Sequence, residues 1–441
     1  MLEALRNAWR LPDVRNKLLI TGLILVVYQF AAHVPVIGVD RNALAQVFNS
    51  STTGGFVQVL DLLSGGAVRN FSVLANGVYP YITASIILQL LQPLIPSLEA
   101  LQREPGGQEK LQRYTYYLAI PMALFQSVAQ IQIFSGAAGT GAIIPNFGQD
   151  LLLTAAVLTT MTAGTMFAVW LGELITEQGI GNGISIVIFA GIVARGPENL
   201  FNLLTNAAQP WVYNLLVFVI VVLVSVLAII LIQEGVRRIP VQYGKRVRGR
   251  KQYGGASTHI PLRVNAVGMV PLIFAQSIIA LPAVIVNLFP EGDFRSQVTQ
   301  TFGSQHGLGY WITFFILVVV FTFIYTDLMV GQQNLSENLQ RQGGFIPGIR
   351  PGKRTQEYIQ SVTRRITLVG ALFLGIIAVT PGIVDFLNHI FFPLVSISGS
   401  STNAAQVITG SGLIIVVGVV IDTLRQLEAQ LVMRNYEGFM R

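Results

Sequence analysis

Apolar residues run along this chain in long blocks rather than alternating with polar ones. Ten blocks approach the roughly 20 residues that a helix needs to cross a bilayer: 18–36, 80–95, 114–134, 151–174, 184–194, 212–232, 266–288, 310–330, 366–384 and 407–424. A further apolar stretch, 56–63, is too short to cross. The fifth block is also short, and its length alone suggests a re-entrant segment. Positive charge arbitrates, because basic residues collect on the cytoplasmic side. With ten crossings and a cytoplasmic N-terminus, all of the 28 Lys and Arg except Arg41, Arg69, Arg195 and Arg295 fall on that side. Removing the fifth crossing flips everything after it and mixes the two sides. The pattern predicts an all-α integral membrane protein of ten transmembrane helices with both termini cytoplasmic. Five crossings per half would make two related halves inverted in the membrane; their repetition is a coarse likeness of hydropathy.

Composition agrees. Of 441 residues, 52% are hydrophobic and 11% charged, and mean hydropathy is +0.60, whereas a soluble domain carries roughly 25% charged residues. The net charge of +7 fits cytoplasmic loops better than nucleic-acid binding. The absence of cysteine excludes disulfides, thiolate metal sites and Cys nucleophiles. Residues 1–17 set Leu2, Leu5, Trp9 and Val14 among Arg6, Arg10, Arg15 and Lys17. That is the make-up of an amphipathic interfacial helix, and no small-residue cleavage pattern follows it. An N-terminal half, 18–196, a C-terminal half, 212–424, and a cytoplasmic tail, 425–441, complete the organisation.

Ionisable residues deep in the blocks would signal an ion-coupled solute transporter. Here Glu173, Asp327 and Asp422 sit at or near block ends, and Asp61 and Asp385 lie in or beside outside segments. His33, His259, His306 and His389 are scattered without metal-ligand spacing, and His259 reads as a solvated loop residue. No catalytic set stands out, so an intramembrane enzyme is disfavoured and no cofactor is expected. The blocks do contain Gln89, Gln126, Thr160, Thr162, Thr165, Gln276 and Ser277. Helix–helix packing explains such residues first; a wall that meets a polar peptide on one side and lipid on the other is the functional alternative.

Four segments do not fit a simple bundle. Residues 61–80, DLLSGGAVRNFSVLANGVYP, form a broken apolar stretch on the outside, which needs burial in protein or a cavity to satisfy its backbone. Residues 175–184, ITEQGIGNGI, have the glycines of a tight turn or a close backbone approach. The loop 234–265 centres on VQYGKRVRGRKQYGG, which alternates as a solvated β-hairpin would. Its basic residues, among them Arg246, Arg248, Arg250 and Lys251, suit topology and anionic lipid, or a docking arm for an acidic or RNA-rich partner. The loop 331–365 centres on GGFIPGIRPGKRT, where prolines and glycines hold a non-helical tip that presents Arg350. A hydrophobic Phe345–Ile346 pair at that tip points to a partner surface.

At these same segments the chain resembles the SecY family of protein-translocation channels. The resembling stretches are LLSGGAVRNFSVLANGVYPYITASIILQLL, TEQGIGNGISIVIFAGIVA, RRIPVQYGKR with STHIPLRVN, GGFIPGIRPG and DTLRQLEAQLVMRNYEGF, in the right order between the right blocks. The resemblance implies two pseudo-symmetric inverted halves of five helices around an hourglass pore, with a cytoplasmic β-hairpin-like loop. It implies a short plug helix at about 56–69, including Asp61, Leu62, Leu63, Ser64, Gly65 and Gly66. It implies an apolar pore ring of Val78, Ile82, Ile184, Ile188, Ile273 and Ile415, where Val78 stands in place of the more usual isoleucine. It also implies a lateral gate with Gln89, Gln126, Gln276 and Ser277, and docking of a motor or ribosome at Arg246, Arg248, Arg250, Lys251 and Arg350. The implied function is passage of unfolded preproteins across the bacterial plasma membrane and sideways release of transmembrane segments into the lipid bilayer. The implied partners are the small subunits SecE and SecG, the motor ATPase SecA, the ribosome, and signal peptides with their preproteins. An apolar ring suits such a task, because it can gate by dewetting and offers no charge to trap a passing chain.

Overall fold

The computed structural model describes residues 11–44, 64, 66–137, 143–205, 211–243, 246–248, 251–253, 257–286, 292–298, 301–302, 307–332, 335–391 and 411–439. Among the described residues, each apolar block overlaps a helix. In chain order these are α1 (Pro12–Ala31), α2 (Tyr79–Leu91), a short α3 (Pro96–Arg103), α4 (Gly107–Ala137), α5 (Leu151–Gln178), α6 (Gly183–Thr205) and α7 (Trp211–Glu234). There follow α8 (Val270–Val286), the short α9 (Asp293–Val298), α10 (Leu308–Gln332), the short α11 (Leu335–Arg341), α12 (Lys353–Phe391) and α13 (Ser411–Phe439). Among the described residues, five helices are long and apolar enough to cross a membrane, and four shorter apolar helices accompany them.

The burial pattern is that of a protein whose solvent is lipid. Large apolar side chains line the outer faces: Leu19, Leu23, Val26 and Phe30 on α1, Leu223, Leu227 and Leu231 on α7, and Ile312, Ile316, Val320 and Ile324 on α10. Polar side chains such as Ser127, Thr165, Gln276 and Thr322 are buried instead. The hydroxyls of Thr160, Thr162, Thr165 and Ser277 donate to carbonyls one turn back on their own helices. They satisfy themselves locally rather than joining helices, so they cost little in an apolar surrounding.

Several boundaries differ from the sequence reading, and three of them involve a proline. Residues 12–17, expected to end a separate interfacial helix, form the first turns of α1, with Pro12 at a first-turn position where its missing N–H costs nothing. The first block was expected to reach residue 36, but α1 stops at Ala31, ahead of Pro35, which cannot continue a helix. Beyond it the chain runs beside the 66–78 segment: Val36 N donates to Phe71 O at 3.0 Å and Val73 N to Val34 O at 2.9 Å. The short fifth block is the start of a 23-residue helix that continues through Pro197.

On the basic-loop side, β1 (Val236–Tyr243) pairs antiparallel with β4 (Ser257–Arg263), and β2 (Arg246–Arg248) with β3 (Lys251–Tyr253). The second loop adds β5 (Gly344–Phe345) to the free edge of β1, giving the order β4-β1-β5. Ile239, Val241, Leu262, Leu339, Ile346 and Ile359 form one apolar cluster beneath this sheet. The two loops, expected as separate arms, are therefore one body. Ile346, expected at an exposed tip, is the residue just past β5 and is buried in that cluster, while Phe345 is exposed.

Candidate functional site

The site grows from two close backbone approaches. At the α5–α6 turn, Gly181 takes a left-handed φ of +89°, and Gly183 N donates to Thr176 Oγ1 at 2.9 Å. A Cβ on Gly183 would run into the carbonyl oxygen of Gly172, a backbone atom that cannot move aside. Gly172 is in turn crowded by Ile184, whose Cγ1 lies 3.1 Å from where a Cβ would stand. The start of α6, and with it Ile184 and Ile188, is thus pressed against α5. At α2, Ile82 N donates to Val78 O at 3.1 Å, so Val78 and Ile82 lie one helical turn apart on one face.

Val78, Ile82, Ile188, Ile273 and Ile415 belong to one large buried apolar cluster, and Ile184 packs against it. They come from α2, α6, α8 and α13, so both halves of the chain contribute. Ile415 is 0% exposed and Ile188 2%. The implied plug falls largely outside the described residues: Asp61, Leu62, Leu63 and Gly65 are among those not described. Ser64 is buried, and its carbonyl accepts from Tyr28 Oη at 3.1 Å. Gly66 begins a run of turns, and Ala67, Val68, Phe71 and Leu74 within it are buried. The Phe71 ring meets Phe134 edge-on at 5.6 Å. This is the burial expected of irregular backbone at membrane depth.

The four polar residues expected at a gate lie on three helices, Gln89 on α2, Gln126 on α4, and Gln276 and Ser277 on α8. Gln126, Gln276 and Ser277 are buried. Gln89 donates to Ser85 Oγ at 3.1 Å and lines a cavity of about 240 Å³ between α2, α4 and α10. Two links here escaped sequence reading. Asn76 Nδ2 donates to Ser127 Oγ at 2.7 Å, which ties the segment before α2 to α4. Tyr79 Oη donates to the Ser277 carbonyl at 2.8 Å, which ties α2 to α8.

Arg350 is exposed at the second loop's tip, and its carbonyl accepts from Thr355 Oγ1 at 2.9 Å. Arg246, Arg248 and Lys251 lie on the paired strands β2 and β3; Arg250 is outside the described residues. The base of the hairpin is held from α13: Arg425 donates to the Gln233 carbonyl at 3.1 Å and to Glu234 Oε1 at 2.8 Å. Neither of those partners is near Arg425 in the chain, so no local pattern announces the clamp.

The SecY family model matches residues 72–424, most of the chain. The chain belongs to the SecY family. It is 39% identical to the protein translocase subunit SecY of Streptomyces coelicolor over 452 aligned positions and 40% identical to that of Halalkalibacterium halodurans over 455, with the full length of each chain covered. That of Thermotoga maritima is 37% identical, covering all of this chain and 98% of the relative. The fold is that of two solved channels. One, described as the structure of a protein conducting channel, has a TM-score of 0.64 at 19% identity and covers 95% of this chain and 93% of its own. The other, Sec61 in a canine ribosome-channel complex from the endoplasmic reticulum, has a TM-score of 0.63 at 18% identity over the same shares. The paired loops, the turn before α2 and the glycine-tight start of α6 are thus parts of a SecY-family scaffold.

Proposed function

We propose that this chain is the pore-forming subunit of a protein-conducting channel in a bacterial plasma membrane. Its ten helices cross in two inverted halves, with the termini and the basic loops cytoplasmic. Unfolded preproteins pass through the ring of Val78, Ile82, Ile184, Ile188, Ile273 and Ile415. Apolar segments leave sideways between α2 with α4 and α8 with α10, driven by burial of apolar surface in lipid at about 25 cal/mol per Å². The region 56–69 seals the resting pore as a plug. Small membrane subunits of the SecE and SecG kind brace the channel. A motor ATPase of the SecA kind or a translating ribosome docks on the welded basic loops and supplies the directed push. The channel has no catalytic site of its own.

The observation that carries this reading is the convergence of apolar residues from four helices of both halves on one buried cluster, in a chain that belongs to a translocase family. Family membership gives no support to a solute transporter. The test is reconstitution: vesicles holding the full chain with its small subunits, given a motor, ATP and a labelled unfolded preprotein, are expected to protect the preprotein from added protease. Protection no greater than in empty vesicles, while a relative's channel succeeds in the same assay, would overturn it. In the same vesicles Arg350→Glu is expected to lower motor-driven transport about tenfold, the effect of roughly 1.4 kcal/mol at an exposed contact. The folded level should not change, because the Arg350 side chain is exposed and its carbonyl keeps its bond to Thr355. Unchanged transport would place docking elsewhere.

A further inference from the structure

α10 and α12 lie in close contact. A Cβ on Gly375 would stand 2.6 Å from the Phe315 ring, and one on Gly382 would stand 2.6 Å from the Trp311 indole. Aromatic rings of α10 are thus seated on bare backbone of α12, and the two helices present one firm outer wall. At the end of this wall nearest the basic loops, Arg364 Nη2 donates to Asp327 Oδ2 at 3.3 Å and ties α12 to α10.

Arg365, the next residue, is exposed, and among the described residues no hydrogen bond or ion pair engages its side chain. Asp327, which lies at this level, is taken up by Arg364 and leaves Arg365 uncompensated. Its place on the helix is particular. At 3.6 residues per turn, Val369, Leu372, Ile376 and Ile383 stay within about 40° of the Arg365 direction. Each of the four is between 40% and 55% exposed. They form a straight apolar stripe with Arg365 at its head. Ser361, one turn beyond the arginine and in line with it, is also exposed. A free guanidinium at the head of a lipid-facing stripe complements an anion that carries a long apolar tail.

We infer that Arg365 anchors a binding site for one anionic phospholipid on the outer wall of α10 and α12. This rests on the reading that these helices cross the membrane with their basic ends cytoplasmic. The phosphate diester accepts from the guanidinium fork, a charge-assisted bond. Ser361, four residues back on the same face, supplies a second donor. An acyl chain lies along Val369, Leu372 and Ile376. A zwitterionic headgroup brings an ammonium that the arginine repels, so the site prefers a headgroup of net negative charge. The site also bears on the second basic loop. α12 begins at Lys353, just behind the Arg350 tip, and Arg365 lies roughly 18 Å further along the helix axis. A phosphate held there sets how far that tip stands above the bilayer.

The test is lipid binding to the full chain with its small subunits in mild detergent. Intact complexes are weighed by mass spectrometry during titration with phosphatidylglycerol or phosphatidylcholine. Wild type is expected to take up one phosphatidylglycerol ahead of all others, with no such preference for phosphatidylcholine. Arg365→Gln is expected to weaken that first binding about tenfold, the effect of one lost charge-assisted contact. Its phosphatidylcholine binding should stay as in wild type. Arg354→Gln removes a charge from the same exposed face about three turns nearer the loop tip, and should bind as wild type does. Equal weakening by the two substitutions would mean diffuse surface charge and overturn the site. An undiminished first binding in Arg365→Gln, or equal uptake of the two lipids by wild type, would overturn it too. A parallel loss of both lipids in Arg365→Gln would mark damage to the wall rather than loss of an anchor, and count against it equally. Displacement of the lipid by inorganic phosphate at equal concentration would show an ion site indifferent to the tail. None of these outcomes touches the channel reading, which preprotein transport decides.

Discussion

Gly183→Val is expected to remove most of the folded protein from the membrane. The added branched side chain would have to occupy the space of the Gly172 carbonyl oxygen, with the Ile175 side chain crowding it as well. A flexible side chain could swing away; a carbonyl inside α5 cannot without breaking that helix. Overpacking of this kind costs about 3 kcal/mol or more, a large share of a protein's net stability. Gly22→Val is no fair comparison, because valine is also a poorer helix former, so the control pair is alanine at each position. At Gly22 on α1 a Cβ meets nothing within 4 Å, and alanine there should be neutral or slightly stabilising. At Gly183 alanine should already lower the amount of protein that survives extraction in mild detergent. Equal survival of the two alanine variants would show that the α5–α6 contact tolerates separation.

The second large effect is expected at the proposed constriction. Ile188→Asp would place a carboxylate at a position 2% exposed within the apolar cluster. An unpaired buried charge costs several kcal/mol even after relaxation. The cheapest relief in a pore is water, so the ring should hydrate in its resting state. Vesicles carrying the variant are expected to lose an imposed ion gradient at least about tenfold faster than wild type, the rate ratio that 1.4 kcal/mol supplies. Ile188→Leu, which conserves volume and apolarity, should hold the gradient. A folded aspartate variant that leaks no faster than wild type would exclude Ile188 from the seal.

The helices were legible in the sequence, and so was the hairpin of the first basic loop. The block at 184–194 shows the limit of reading by length. It is too short by itself, and the charges on either side predict a crossing; in the structure α6 runs on past the block through Arg195 and Pro197 to Thr205. Proline had the opposite effect at the first block, where apolar composition continues to Val36 but the helix does not. The Phe345–Ile346 pair was read as one exposed unit. The structure splits it: Phe345, paired with β1, is exposed, and Ile346, just past the strand, is buried against the cluster beneath the sheet.

The residues proposed for the ring illustrate a different difficulty. An isoleucine in a membrane helix looks the same whether it faces lipid, a neighbouring helix or a pore. Ile312 on α10 is 57% exposed, whereas Ile415 on α13 is 0% exposed, yet both sit in similar apolar surroundings in the chain. Family resemblance singled out the six. No feature of Tyr79 or Arg425 did the same for the links they make to Ser277 and Glu234.

By itself the sequence determined which segments are helical, and it carries the charge pattern from which their sidedness is read. Both are local matters: a chain in lipid must satisfy its backbone within each segment, and basic residues beside a segment set its direction. The tertiary structure alone decided which residues meet: Gly183 with Gly172, β5 with β1, Arg425 with Glu234, and Tyr79 with Ser277. Lipid is as apolar as a helix face, so hydrophobicity cannot sort partners in the membrane. Close packing and single hydrogen bonds do that, and they exist only once distant parts of the chain are side by side.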